Sequence, residues 1–155
     1  MVRIYKLLFL LFTFSLSISF TYSQCSGGSS GGALSPAPTS GFQTATVAAG
    51  RYYTIVVPAF SACTTYTYTF TFCSNGGTAS FDTQITILDN SGTYAGGYND
   101  DFCSFQSKVT WTPSAPGTYR ILINNYNCLS SGAAATLAYN VTTTSGVSEI
   151  GRAHV

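Results

Sequence analysis

The stretch TTYTYTFTF at residues 64–72 decides the fold, because threonine alternates with an aromatic residue from position 65 onward. Successive side chains of a β-strand point to opposite faces, so all four aromatic residues share one face. They are Tyr66, Tyr68, Phe70 and Phe72. Exposed, they would form an apolar patch of a kind that soluble proteins rarely carry without a partner. We therefore predict a strand whose aromatic face is buried in a core; the alternative is a platform that stacks on sugar rings.

Alternation with a period of two continues through most of the chain, and no window has the apolar period of a helix. The further segments are RYYTIVV (51–57), SFDTQITILD (80–89), KVTWTP (108–113), GTYRILINNY (117–126) and ATLAYNVTT (135–143). Turn signals separate them, namely SNGG (74–77), DNSG (89–92), NDDF (99–102) and PSAPG (113–117). This spacing predicts an all-β fold at residues 42–144, an antiparallel β-sandwich or jelly roll of about seven or eight strands.

The N-terminal region has the pattern of a secretory signal peptide. Arg3 and Lys6 precede an apolar run, and small residues at 21 and 23 favour cleavage before Gln24. We expect residues 1–23 to be removed, and the chain to be secreted or displayed at the cell surface. A lipid anchor on Cys25 is the rival interpretation, but Gln24 suits it poorly. Residues 24–41 are rich in Gly, Ser and Pro and are predicted to be a flexible linker.

The C-terminal residues 145–155 form a tail whose last part differs in composition from the rest. EIGRAHV at 149–155 contains the only histidine, and IGRAHV matches a translated sequencing adapter. We expect residues 149–155 to be an artefact of that kind. The natural protein is then expected to continue into a downstream domain.

Charge is scarce, with Asp, Glu, Lys and Arg making up 7% of residues. No basic patch is present to neutralise phosphates, which argues against nucleic acid as a partner. No Lys/Arg-rich amphipathic helix is present that could lie on a membrane surface. We therefore expect that the mature form does not bind a membrane. Neutral hydroxyl and amide groups suit carbohydrate or an extracellular protein better.

The five cysteines are predicted to be structural. Export permits disulfides, and no C-x-x-C motif or native histidine supports zinc or a Cys–His nucleophile. Cys25 lies in the predicted linker, so it is expected to be free or to pair with a cysteine beyond this chain. The other four, Cys63, Cys73, Cys103 and Cys128, allow three pairings.

Carboxylates are the only groups that suggest chemistry. Asp82, Asn99, Asp100 and Asp101 offer oxygen ligands from a turn and a neighbouring strand end, and we hypothesise a Ca²⁺ site there. The alternative is that these residues only make turns. A glycosidase pair is a weaker hypothesis, and no catalytic residue is assigned. Should aromatic residues contact a ligand, those in or beside loops are the candidates: Tyr94, Tyr98 and Tyr126.

The ordered set of motifs resembles the bacterial pre-peptidase C-terminal domain. The features are an aromatic strand ending in Cys73, FDT (81–83) with ITILDNSG, NDDFC (99–103), SKVTW (107–111) and PGTYRILI (116–123). The resemblance implies a small, non-catalytic β-sandwich appended to exported enzymes, some relatives of which bind calcium or polysaccharide. It also implies a Cys73–Cys103 disulfide, which leaves Cys63 and Cys128 as the second pair.

The function expected from the sequence is a non-catalytic accessory or adhesive module of an exported bacterial protein. It requires no cofactor unless the carboxylates hold Ca²⁺. The alternative is the N-terminal part of a secreted peptidase or other hydrolase whose catalytic domain lies downstream.

Overall fold

The computed structural model describes residues 24–38, 41–61 and 64–146. The alternating segments form two sheets, one of five strands and one of four. In chain order the strands are β1 (Ser29–Ala33), β2 (Gln43–Ala48), β3 (Arg51–Val57), β4 (Thr64–Thr71), β5 (Thr83–Asp89), β6 (Tyr94–Asn99), β7 (Lys108–Trp111), β8 (Gly117–Asn125) and β9 (Ala134–Ser145). A short 3₁₀ turn, Tyr126–Cys128, follows β8. The fold is all-β, which confirms the predicted sandwich.

The strand order is β1-β3-β8-β5-β6 in the larger sheet and β2-β9-β4-β7 in the smaller sheet. All pairs are antiparallel except β1 with β3, which is parallel. β8 lies between β3 and β5, and each of its inward side chains contacts the core. Ile121 and Ile123 of β8 are completely buried.

The aromatic face of β4 lies in the core, as predicted. Tyr68, Phe70 and Phe72 are 2% exposed or less, and Tyr66 is half-buried against the same cluster. Tyr68 packs against Trp111 of β7, with ring centroids 5.9 Å apart. Burial of one such side chain contributes about 2–3 kcal/mol of hydrophobic stabilisation. The stripe therefore holds the two sheets together and is not a surface for sugars.

The predicted linker is wrong for residues 24–34, which belong to the sandwich. β1 adds to the edge of the larger sheet beside β3, and Leu34 is buried in the main core. The sequence SSGGA in β1 has no apolar alternation because all five side chains are exposed. Backbone pairing with β3 holds this strand, together with hydrogen bonds from the side chains of Arg51 and Thr54 to carbonyls of β1. A pattern of its own side chains therefore did not reveal it.

The disulfides confirm one expected pair and correct the other. Cys73 and Cys103 are bonded, as the resemblance implied. Cys128, however, is bonded to Cys25 and not to Cys63. Cys25 is buried because the chain before β1 runs back across the larger sheet, so it is neither free nor outside the domain. Cys63 lies outside the described residues.

The predicted signal peptide and the tail from residue 147 also lie outside the described residues. Within the part of the chain that the structure describes, no helix is long and apolar enough to cross a membrane.

Candidate functional site

Strand pairing brings the predicted carboxylates together at one end of the larger sheet. Asp82 immediately precedes β5, and Asp100 and Asp101 immediately follow β6. Because β5 and β6 are antiparallel, with Ile85 opposite Asn99, the start of one lies beside the end of the other. Asp82 and Asp100 are 18 positions apart in the sequence, and the β5–β6 hairpin brings them together.

One carboxylate oxygen from each of Asp82, Asp100 and Asp101 lies within 4.8 Å of the other two. Asp82 and Asp100 are half-buried, whereas Asp101 is exposed. We call these three residues the carboxylate site. Three oxygens at this separation can contact one cation, since Ca²⁺ takes oxygen ligands at about 2.3–2.6 Å.

A buried Ser–Thr pair fixes the backbone of the carboxylate site. Ser107 Oγ donates to the carbonyl oxygens of Asp100, at 2.8 Å, and of Thr83. Ser107 N donates to Thr83 Oγ1 at 2.8 Å. Both Ser107 and Thr83 are fully buried. The loop that follows β6 is thus fastened to the residue after Asp82, which sets the distance between the carboxylates.

Three buried oxygen atoms around the site accept no hydrogen bond. They are Asp82 Oδ1, Asp100 Oδ1 and Gln106 Oε1. The amide of Gln106 is oriented by its own nitrogen, which donates to the carbonyl of Phe81 at 3.0 Å. Buried acceptors are nearly always paired, so these oxygens have acceptor capacity that the described residues do not use. Asp82 and Gln106 line one hollow. Gln106 was not predicted from the sequence, and no spacing there distinguishes it from a loop residue.

The three carboxylates bring negative charges close together at the site. The pKa of Asp82 is raised above its usual 3.8, first by burial and then by the charges of Asp101 and Asp100. The pKa of Tyr98 is raised to about 12, first by burial and then by the neighbouring charge of Asp100. Tyr98 OH donates to Asp100 Oδ2 at 3.4 Å. Both shifts have burial as their first cause, and the nearby aspartate charges add to it in the same direction.

Asn99 was predicted as a fourth ligand, and the structure gives its side chain another role. Its Oδ1 accepts a hydrogen bond from Lys108 N at 3.0 Å. That bond ties β6 of one sheet to β7 of the other, so this oxygen serves the fold. We therefore replace Asn99 by Gln106 in the candidate ligand set.

The predicted ligand-contacting aromatic residues lie at different places. Tyr126 is 61% exposed and its N–H donates to the carbonyl of Asp82 at 3.0 Å, which places it beside the carboxylate site. Tyr98 is half-buried and hydrogen-bonded to Asp100. Tyr94 is exposed at the opposite end of β6. These three residues do not form one platform.

A hollow of about 330 Å³ adjoins the carboxylate site. Its walls include Phe81, Asp82, Phe105 and Gln106, and the ring of Phe105 is 65% exposed. An equally large hollow of about 340 Å³ lies nearby, but its Thr, Ser and Ala walls hold no titratable side chain. The first hollow is the better ligand site because an aromatic ring and polar groups meet in it.

Fold and site together define a disulfide-bonded β-sandwich with an acidic site at one end of its larger sheet. The chain belongs to the family described as domain of unknown function DUF8695, whose model matches residues 42–144. A search of curated proteins found no match. The resemblance to the pre-peptidase C-terminal domain therefore stays a prediction.

Proposed function

We propose that this chain is an exported, non-catalytic β-sandwich module that binds Ca²⁺ at the carboxylate site and serves an accessory or adhesive role. Two disulfides are typical of proteins from oxidising compartments, which supports export. Extracellular calcium modules bind with dissociation constants on the order of 10⁻⁴ to 10⁻³ M.

The observation that carries the proposal is the convergence of Asp82, Asp100 and Asp101 with buried oxygens that accept no hydrogen bond. A carboxylate acts only as an acceptor when ionised, so the cluster cannot satisfy itself. The side-chain amide oxygen of Gln106 is a further ligand type that Ca²⁺ favours. A cation at this place would lower the repulsion and pair the orphan oxygens at once.

The test is a calcium titration of the folded domain by calorimetry, with thermal melts in CaCl₂ and in chelator. At a calcium concentration near 100 times the dissociation constant, binding adds about 2.7 kcal/mol, a rise in melting temperature of roughly 10 °C. Asp100→Ala/Asp101→Ala should abolish the rise. Asp89→Ala is the matched control, because Asp89 lies in the turn at the other end of β5. Identical melts in calcium and chelator would refute the proposal.

A second candidate function is contact with neutral carbohydrate at the hollow beside the site. The exposed ring of Phe105 stands next to Asp82 and Gln106, so a sugar ring could stack while its hydroxyl groups meet acceptors. Cationic groups do not line this hollow, which favours a neutral over an anionic glycan.

Affinity electrophoresis through gels containing dextran, xylan or mannan tests this candidate. We expect at least one of these polysaccharides to retard the protein and Phe105→Ala to restore its mobility. Phe102→Ala is the control: its ring is 59% exposed and packs under Lys108 Nζ, outside the hollow. Equal mobility in every gel would exclude the candidate without touching the calcium proposal.

A further inference from the structure

The Cys25–Cys128 disulfide lies against one buried side chain of β5. Gln84, the second residue of β5, is 4% exposed. Its Oε1 accepts a hydrogen bond from Cys128 N at 2.8 Å and lies 3.1 Å from Cys25 Sγ. Both cysteines of the disulfide therefore contact the amide oxygen of Gln84.

Two short paths lead from this disulfide to the site, one to the carboxylate of Asp100 and one to the main-chain carbonyl of Asp82. Gln84 Nε2 donates to Tyr98 OH at 3.2 Å, and Tyr98 OH donates to Asp100 Oδ2 at 3.4 Å. Two residues before Cys128, Tyr126 N donates to the carbonyl of Asp82 at 3.0 Å. Cys128 is thus linked to the Asp100 carboxylate through the hydrogen bonds of Gln84 and Tyr98. It is linked to the backbone of Asp82 through the adjoining residues of its own turn.

The turn that carries these contacts has an unfavourable backbone. Asn127 and Cys128 have φ values of 58° and 60°, in the left-handed region that side chains other than glycine rarely adopt. Such residues persist where the surroundings fix them. Asn124 Nδ2 donates to the carbonyl of Cys128 at 3.2 Å, and the disulfide supplies the covalent part of that constraint.

We infer that the Cys25–Cys128 disulfide positions the carboxylate site, so that cation binding is coupled to oxidation of this bridge. The inference rests on the proposed calcium binding and names its regulation. With the bridge reduced, Tyr126 and the amide of Gln84 lose the anchor that holds them against Asp82 and Tyr98. The Asp100 side chain then loses the phenol that orients it, and the site binds a cation more weakly.

The redox step consumes one external disulfide. The Cys25 thiolate attacks a sulfur of the oxidant, forming a mixed disulfide and releasing one thiol. The Cys128 thiolate then attacks the Cys25 sulfur and releases the second thiol. Two protein thiols are oxidised by two electrons, and one small-molecule or protein disulfide is reduced to two thiols. Exported chains meet such oxidants, so the site matures after export.

The experiment compares calcium affinity in wild type, Cys25→Ser/Cys128→Ser and Val57→Ala by calorimetry at pH 7. The double substitution also prevents a new bridge to Cys63. We expect its dissociation constant to rise at least about fivefold, the lower end of usual coupling between sites. Val57 is buried where β3 ends, opposite Gly117 at the start of β8. Its truncation destabilises the core far from the site, so only the melting temperature should change.

Two further variants decide the question should the double variant fail to fold. Gln84→Leu and Tyr98→Phe leave both disulfides intact and cut the path at successive points. Each should weaken calcium binding, and the Gln84 change should do so more. A wild-type dissociation constant in the folded double variant, or in both path variants, would overturn the inference while calcium binding stands. No calcium binding by the wild type would overturn the proposed function and the inference together.

Discussion

At the scale of the single residue, Ser107 connects two backbone segments of the carboxylate site by hydrogen bonds. Its hydroxyl joins the carbonyls of Asp100 and Thr83, and the Ser107 side chain itself is fully buried. Ser107→Ala would leave these acceptors without a donor, at a cost of about 1–3 kcal/mol in the free energy of unfolding. Urea unfolding should show this loss, whereas the exposed Ser114→Ala should change little. Equal effects of the two substitutions would contradict the role of Ser107.

The effect of Asp82→Asn on the melting temperature should have opposite signs without and with calcium. In chelator the substitution removes a repelled, partly buried carboxylate whose pKa is raised, so the melting temperature should rise. The gain is on the order of 2 °C, because solvent screens much of the repulsion. In CaCl₂ the same substitution removes a ligand, so the melting temperature should fall below that of the wild type. Thermal melts of both proteins in both buffers check this reversal.

A change of the same sign in both buffers would contradict the metal role of Asp82. Asp89→Asn serves as the comparison. Its carboxylate accepts from Ser91 N, Ser91 Oγ and Thr93 N within 2.9 Å, so its loss should lower stability with or without calcium.

At the scale of the element, patterns of side chains predicted the strands that bury one face. β3, β4, β8 and β9 alternate because they each pack on the core, and their residues carry that signal. β1 was missed because all of its residues are exposed and show no apolar alternation. The Asp82–Asp100–Asp101 cluster was predictable since hairpin pairing closes it, whereas Gln106 depends on loop conformation that no period encodes.

The segment before β2 should behave as part of the core and not as a linker. Leu34 is 5% exposed and its N–H donates to the carbonyl of Thr54 at 2.8 Å. Leu34→Ala should therefore cost about 2–4 kcal/mol in urea unfolding. Leu129→Ala offers the same chemical change at a side chain that is 59% exposed and should cost little. Comparable losses at the two positions would restore the linker interpretation.

At the scale of the whole molecule, two covalent links surround the acidic end. Cys73–Cys103 holds the loop that bears Asp100, Asp101 and Gln106, and Cys25–Cys128 holds the turn under Asp82. In the chain-entropy model, bridges that close loops of about 30 and 100 residues each stabilise by roughly 3–5 kcal/mol. The resemblance predicted the Cys73–Cys103 bridge. The Cys25–Cys128 bridge was not predicted, because Cys25 lies in a segment that has no sequence pattern of a strand.

We expect one pattern of bridges in the intact protein. Digestion under non-reducing conditions, followed by mass spectrometry, should recover a Cys25 peptide linked to a Cys128 peptide and a Cys73 peptide linked to a Cys103 peptide. Recovery of a Cys63–Cys128 pair in folded protein that binds calcium would contradict the assignment. Reduction before digestion is the control, because it should separate both pairs.

The pH dependence of stability should differ with and without calcium, and Asp82 sets the difference. Its folded-state pKa is raised, so the stability that it contributes is present below the unfolded value of about 3.8. That contribution is lost as the pH rises through the folded pKa, since the ionised form is partly buried and is also repelled by Asp101 and Asp100. Calcium competes with the proton, so its increment in melting temperature should be absent below pH 4 and should grow across the same window. Melts between pH 3 and 8 in chelator and in CaCl₂ measure this, and Asp82→Asn should flatten the growth. A calcium increment of constant size at every pH would place the cation elsewhere.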